Sequence, residues 1–183
     1  MNKLQLEKEF DFSPRVSDML AKSGWTVDYR WDEDKLDQYV ATLERIGMPV
    51  HSHARDFLKR FGGIICKPQR VGSNTTYFGF FENEPREHAP INLKTRESRE
   101  ELAKRVYEYH NRWVKHIQSD VSPTACLIGY THHREMEFFV DANNHFWLAV
   151  TEAGKGLMGL GAKNSLENLF SGDLIGPFEE WDW

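Results

Sequence analysis

Eight histidines are the first candidates for chemistry in this 183-residue chain, because neutral imidazole is the commonest metal ligand in proteins. Two pairs lie close together in the sequence, His51 with His53 and His132 with His133. Neither pair has the i, i+4 spacing with an intervening glutamate that places two imidazoles and a base on one helix face. The sequence therefore predicts loop or surface histidines and no metal site.

Other sequence patterns of enzymes are also missing. The chain has no GxSxG, P-loop or GxGxxG motif, and Gly154-Lys155-Gly156 lacks the glycine-rich loop and hydroxyl of a phosphate cradle. Cys126 has no adjacent histidine and lies in an apolar stretch, which favours packing over nucleophilic attack. Together with the distant Cys66 it predicts two buried free thiols in a reducing compartment. We therefore predict no enzymatic activity and no cofactor.

Two carboxylates, Glu135 and Glu137, lie two residues apart in a predicted strand and therefore on one face of a sheet. Such a pair suits general acid–base catalysis. An exposed acidic strip that binds a partner is the interpretation we favour. This strip would extend to Asp141, Glu152 and the acidic, aromatic C-terminal tail.

The predicted partner-binding residues are Glu135, Glu137, Asp141, Glu152, Glu179, Glu180, Trp181, Asp182 and Trp183. Tryptophan is a frequent interface anchor, and rim carboxylates speed and orient docking on a cationic partner. The alternative for Trp181 and Trp183 is that both pack onto their own domain.

Charge is unevenly distributed along the chain, whose net charge is −5. Residues 51–118 carry 13 basic and 8 acidic side chains, and residues 119–183 carry 3 basic and 10 acidic ones, a net −7. An acidic C-terminal third disfavours direct nucleic-acid binding there and suits a basic partner. Plain solvation of the surface is the other explanation for the same charges.

Length and composition predict one domain over residues 1–183, because a chain of this size with 40% hydrophobic residues can bury a core without staples. The start of the chain lacks the apolar core of a signal peptide. No apolar run approaches the roughly 18 residues of a membrane span. We expect a soluble, cytoplasmic protein that is a monomer or a weak homo-oligomer.

Three helices are predicted before the first strand. Ser13-Pro14 supplies an N-cap and an N1 proline, and Gly24 ends that helix. The second begins near Asp32 and ends at Gly47. The third carries an apolar stripe at i, i+3, i+4 and i+7 spacing, formed by Ala54, Phe57, Leu58 and Phe61. Gly62-Gly63 should stop it in the left-handed conformation, directly before a strand.

After these helices the sequence predicts mainly strands, together with two more helices. Predicted strands lie at Ile64–Lys67, Thr75–Phe81, Ala125–Tyr130, Met136–Val140, His145–Val150 and within Gly154–Gly161. The turn-forming residues Asp141 to Asn144 join two of them into a hairpin. A fourth helix is expected from Ser98 to Gln118, and a last one is expected to be capped by Asn164-Ser165. The predicted fold is α+β, with N-terminal helices packed on a mostly antiparallel, about six-stranded sheet and a C-terminal helix.

Five segments resemble, in order, the SUKH superfamily of bacterial immunity proteins, which is related to the yeast regulator Smi/Knr. The resemblance is closest to its third immunity subgroup and covers residues 13–172. The matching segments are Ser13-Pro14 to Gly24-Trp25 with Arg30 after it, Phe57 to Gly63 as "FLxxFGG", Ile128-Gly129, the turn Asp141 to Asn144, and Leu166 to Gly172 as "LenLl.G". The chain departs from the pattern at Asn143-Asn144, where a glycine is usual, and in the length of its fourth helix.

The resemblance implies an immunity protein that binds the catalytic domain of a cognate toxin, often a nuclease or deaminase, and occludes its active site. It implies a helix-rich start, a six-stranded sheet and no catalytic residues. The alternative function is a Smi/Knr-like adaptor or regulatory scaffold that binds a host protein.

Overall fold

A computed structural model describes residues 10–67, 75–79, 111–131, 135–150, 153–171 and 177–180. Within these ranges the chain forms five helices and a seven-stranded sheet. The α+β class predicted from the sequence is confirmed. The predicted start of the fourth helix at Ser98 lies outside the described residues.

In the described part of the chain, three helices precede the first strand, as predicted, and the first two follow the predicted capping signals. The three helices are α1 (Pro14–Lys22), α2 (Glu33–Arg45) and α3 (Ser52–Phe61). The side chain of Ser13 accepts the Val16 N–H to cap α1, and Asp32 accepts the Lys35 N–H to cap α2. Gly24 and Gly47 follow the first two helices at φ +86° and +83°, a conformation that costs glycine little.

The end of α3 differs from the prediction. Gly63 takes the left-handed conformation at φ +78°, but Gly62 has φ −58°, which any residue adopts. Gly62 is needed for space instead, because a Cβ there would lie 2.1 Å from Cε3 of Trp31. The indole of Trp31 rests on the two glycine backbones and is 9% exposed. The FGG segment therefore ends the helix and also forms the surface on which the buried Trp31 packs, which we call the Trp31 floor.

The described strands form an antiparallel meander, in which each pairs with the next described strand. Its strands are β1 (Ile65–Cys66), β2 (Thr76–Phe78), β3 (Cys126–Thr131), β4 (Met136–Val140), β5 (His145–Val150), β6 (Gly154–Leu160) and β7 (Glu179–Glu180). The sheet has seven strands where about six were expected, because the acidic tail adds a two-residue strand at the β6 edge.

Helices cover both faces of the sheet, as the alternation of side chains along β4 shows. On one face, the ring of Phe57 in α3 lies 5.5 Å from Phe78 and 5.4 Å from Phe146. On the other face, α4 (residues 111–120) places Trp113 5.9 Å from Phe139. Phe138 and Phe139 of β4 are both fully buried. The central strands are thus apolar on both sides.

The last helix, α5 (Gly161–Ser171), starts earlier than predicted. Ser165 does not cap it, because it is buried in the first turns and its hydroxyl donates to the Gly161 carbonyl at 2.7 Å. Gly159 in β6 packs directly against Ser165, so the helix follows the strand without a loop. Further along α5, Glu167 accepts the hydroxyl of Ser13 at 2.7 Å and also its backbone N–H. This contact joins the two ends of the part of the chain that resembles the family, residues 13–172.

Candidate functional site

His51, the first histidine of the pair at the start of α3, has a structural role. His51 caps the helix, because its Nδ1 accepts the Ala54 N–H at 3.4 Å. Its Nε2 lies 3.1 Å from the carbonyl of Val140, which ties α3 to the end of β4. Among the described residues, no three His, Cys, Asp or Glu side chains form a group suited to a metal ion. His132 and His133 lie outside the described residues.

Neither cysteine is placed to act as a nucleophile. Both are free thiols and are buried, Cys66 at 2% and Cys126 at 0% exposure. Burial raises the pKa of Cys66 to about 11 and that of Cys126 to about 12. The reactive thiolate is therefore rare at neutral pH. The prediction of two buried free thiols is confirmed.

A thiol-reactivity measurement checks this assignment. We expect Ellman's reagent at pH 8 to modify neither cysteine within minutes in the native protein, and both in denaturant. The reason is that a thiol of pKa about 11 is ionised in roughly one molecule in a thousand at pH 8, and here it is also shielded. Rapid native modification of one thiol would contradict its burial.

Glu137 does not belong to an exposed acidic strip. Its side chain lies under α4 with 8% exposure, and its Oε2 accepts the indole N–H of Trp113 at 3.0 Å. Glu135 lies in a bend before β4 and is exposed. The prediction that the two form one exposed strip is therefore wrong, because α4 covers the face on which Glu137 lies.

Asp141 is also buried, with 2% exposure, and holds the β4–β5 hairpin. Its carboxylate accepts the backbone N–H groups of Asn143 at 2.9 Å and His145 at 3.0 Å, and the indole N–H of Trp147 at 3.2 Å. Burial by itself raises the pKa of Asp141. The three donors and the nearby His145 ring together lower the pKa by more than burial raises it, so the net shift is downward. This carboxylate is structural, and the prediction that it lies on an exposed strip is wrong.

The exposed acidic residues of the tail are Glu179 and Glu180 of β7. Lys155 on β6 lies opposite Glu179, and its Nζ is 3.5 Å from the Glu179 carboxylate. The same ammonium also donates to the carbonyl of Asp120 at the end of α4. Together with the neighbouring Phe178, which is 39% exposed, these two glutamates form what we call the acidic edge.

Glu135 lies at the same end of the sheet as the acidic edge. Met136 pairs with Val150, Val150 with Gly154, and Gly154 with Glu180, so one row of residues crosses four strands. Glu135 is the residue before that row. Three strand spacings give a separation of about 14 Å between β4 and β7. A single partner of ordinary size would span that distance.

The remaining predicted residues, Glu152, Trp181, Asp182 and Trp183, lie outside the described residues. Of the nine, the structure thus places three at one end of the sheet and buries two elsewhere. The packing of Phe178 over Gly154 at this edge of the sheet was not predicted from the sequence. The signal was present in the alternate glycines Gly154 and Gly156, since glycine within a strand marks close approach of another chain segment.

Residues from three of the segments that resemble the family pack closely in the core. Trp25 stacks on Phe61 with ring centroids 5.5 Å apart, and its Nε1 donates to the Arg60 carbonyl at 3.0 Å. Gly129 of β3 has no room for a side chain, because a Cβ there would lie 2.5 Å from the Tyr77 carbonyl oxygen. These residues therefore serve the packing of the fold.

In the part of the chain that the structure describes, no helix has the length and apolarity needed to cross a membrane. No curated protein and no solved structure matches the chain. The model of one family, described as SUKH-3 immunity protein, matches residues 12–172. That segment contains α1 to α5 and the first six strands, together with the Trp31 floor and the Asp141 hairpin. The chain belongs to the SUKH-3 immunity protein family.

Proposed function

We propose that this protein binds the catalytic domain of a cognate toxin and neutralises it by covering the toxin's active site. The observation that carries this proposal is the family match over residues 12–172. In this proposal the protein acts in the cytoplasm as a monomer or weak homo-oligomer, is not an enzyme and needs no cofactor. The buried thiols and the structural roles of Glu137 and Asp141 support the non-catalytic part of the proposal.

Charge supports a nuclease as the toxin, with a deaminase as the other candidate. A nuclease cleft is basic because it holds phosphates, so an acidic protein surface can occupy it in their place. The C-terminal third of this chain carries 10 acidic and 3 basic side chains. Glu135, Glu179 and Glu180 are exposed at one end of the sheet. An interface of roughly 1,600 Å² around that end would suffice for tight inhibition.

The test uses the toxin domain encoded by the reading frame next to this gene. Cells expressing that domain alone should stop growing, and co-expression of this protein should restore growth. The two purified proteins should form a complex that lacks the toxin's activity. No protection and no complex would contradict immunity. Recovery of a host protein as the stable partner would favour the adaptor function instead.

Reversal of the acidic edge is expected to slow association. In the double variant Glu179→Lys/Glu180→Lys, the association rate at low salt should fall about tenfold, because carboxylates at the rim steer a cationic partner. The dependence of that rate on salt should also flatten. Stopped-flow binding at low and high salt measures both effects. Glu137 is unsuitable for such a test, since reversal of a buried side chain would disturb the core.

The matched control is Asp11→Lys/Glu44→Lys, which makes the same change in net charge at exposed positions outside the acidic edge. Its association rate should stay within about twofold of the unsubstituted protein. Equal slowing by both double variants would show that net charge alone matters. That outcome would remove the acidic edge from the proposal and leave immunity itself in place.

A further inference from the structure

We propose that the acidic edge binds the toxin by strand addition, taking an extended basic segment whose arginine or lysine lies between the ring of Phe178 and the carboxylate of Glu180. This inference rests on the proposed immunity function and specifies the mode of docking. It goes beyond a general attraction between opposite charges, because it names a main-chain contact and one side-chain position.

The position of β7 provides the main-chain part. It is the last strand in the order β1 to β7, and no described strand pairs with its outer side. Both of its residues are exposed. The N–H and C=O groups along such an edge form a template for another extended chain, and proteins bind peptides in this way.

Phe178 and Glu180 provide the side-chain part, because residues two apart in an extended segment point to the same face. About 7 Å separates such positions along the chain. The strand neighbour of Glu180 is Gly154, which has no side chain. The Phe178 ring lies over that glycine, with its Cε1 2.8 Å from where a Cβ would be. The Phe178 ring and the Glu180 side chain thus belong to the same face of this edge, and both residues are exposed.

That pair suits a cation. A guanidinium or ammonium over an aromatic ring is attracted by the negative face of the ring, and a carboxylate beside it adds a charge-assisted hydrogen bond. Glu179 points to the opposite face, where Lys155 already offsets its charge. Glu180 has no ion pair among the residues that the structure describes, and its side chain is exposed.

The same charges argue against a second copy of this chain as the occupant. If two β7 edges paired, Glu179 and Glu180 of one copy would face the same glutamates of the other, and like charges opposite each other destabilise a strand pair. A basic strand would instead place positive charges opposite these glutamates, which stabilises a strand pair. The acidic edge therefore disfavours self-association and selects a cationic partner strand.

The experiment measures binding of the adjacent-gene toxin domain to the full chain and to three variants. Glu180→Arg should raise the Kd about thirtyfold, because it removes the attraction and adds repulsion. Phe178→Ala should raise it about fivefold through loss of the ring. The control Glu44→Arg makes the same charge change on α2 and should leave the Kd within twofold. Circular dichroism melts of each variant check that the fold is retained.

Hydrogen exchange in the complex tests the main-chain part separately. The amides of residues 178–180 should exchange at least tenfold more slowly in the complex, because a two-residue edge strand is poorly protected in the free protein. If the toxin is inhibited while β7 gains no protection, or if Glu180→Arg behaves like Glu44→Arg, strand addition is overturned and immunity stands. If the unsubstituted protein fails to bind the toxin, both proposals fall.

Discussion

Replacement of Gly62 by alanine is expected to lower the free energy of unfolding by more than about 3 kcal/mol, at the upper end of overpacking effects. A Cβ at this position would lie 2.1 Å from Cε3 of Trp31 and 2.5 Å from the carbonyl oxygen of Leu58. The first contact forces a 9%-exposed indole to move, and the second requires the helix backbone to shift. Urea unfolding followed by tryptophan fluorescence measures the loss.

Gly24→Ala is the matched control, because it separates steric from conformational cost. Gly24 has φ +86° but no atom within 4 Å of an added Cβ, so alanine there costs only backbone strain, about 1 kcal/mol. At Gly62 the φ of −58° suits any residue, but there is no space for a Cβ. A loss at Gly62 no larger than that at Gly24 would contradict the role of the Trp31 floor.

A double-mutant cycle identifies the clashing partner. Trp31→Leu removes the ring that an alanine at position 62 would strike, so the combined variant should lose less stability than the two single variants together. A coupling of at least about 1 kcal/mol is expected for residues in direct contact. Additive losses would assign the whole cost to the Leu58 carbonyl instead.

Replacement of Asp141 by alanine is expected to cost about 3 kcal/mol. The change leaves three N–H donors, from Asn143, His145 and Trp147, without their acceptor in a partly buried hairpin. Each hydrogen bond to a charged group is worth about 1.5–3 kcal/mol, and neighbouring water recovers part of the loss. Asp141→Asn should cost less, since its amide oxygen still accepts the two backbone N–H groups but its NH₂ faces the Trp147 donor.

The contribution of Asp141 should depend on pH. Its folded pKa lies below its ordinary value of 3.8, so the unfolded chain binds the proton more tightly. Stability from this group is therefore fully present above about pH 4 and is lost as the pH falls through the lower folded pKa. The stability gap between the unsubstituted protein and Asp141→Asn should narrow as the pH falls below about 4, as urea unfolding measures. A gap that stays constant or widens would contradict the assignment.

Both predictions concern residues of the segments that resemble the family, and both effects lie in the core. Gly62 belongs to the FGG segment and Asp141 starts the hairpin turn. Glu167 of the last segment binds Ser13 of the first. These segments therefore hold the fold, and in our proposal the partner is bound by residues around them, such as Phe178 and Glu180.

The amino-acid sequence by itself determined the elements whose signals are local. Ser13-Pro14 and Asp32 fixed two helix starts, because a cap needs only the next three residues. Apolar spacing placed Phe57, Leu58 and Phe61 inside, and the turn from Asp141 to Asn144 specified the hairpin, with Asn144 at φ +63°. Caps, apolar spacing and turns depend on contacts between residues that are close in the sequence, so the sequence specifies them directly.

Only the tertiary structure decided which polar residues face solvent. Glu137 has the alternating pattern of an exposed strand residue, yet α4 covers its face of the sheet and Trp113 binds it. Gly62 resembles a helix stop but makes space for Trp31, which lies about thirty residues earlier in the sequence. Glu180 gains its edge position from pairing with Gly154. Burial depends on segments distant in sequence, so local patterns found the carboxylates but could not tell an exposed carboxylate from a buried one.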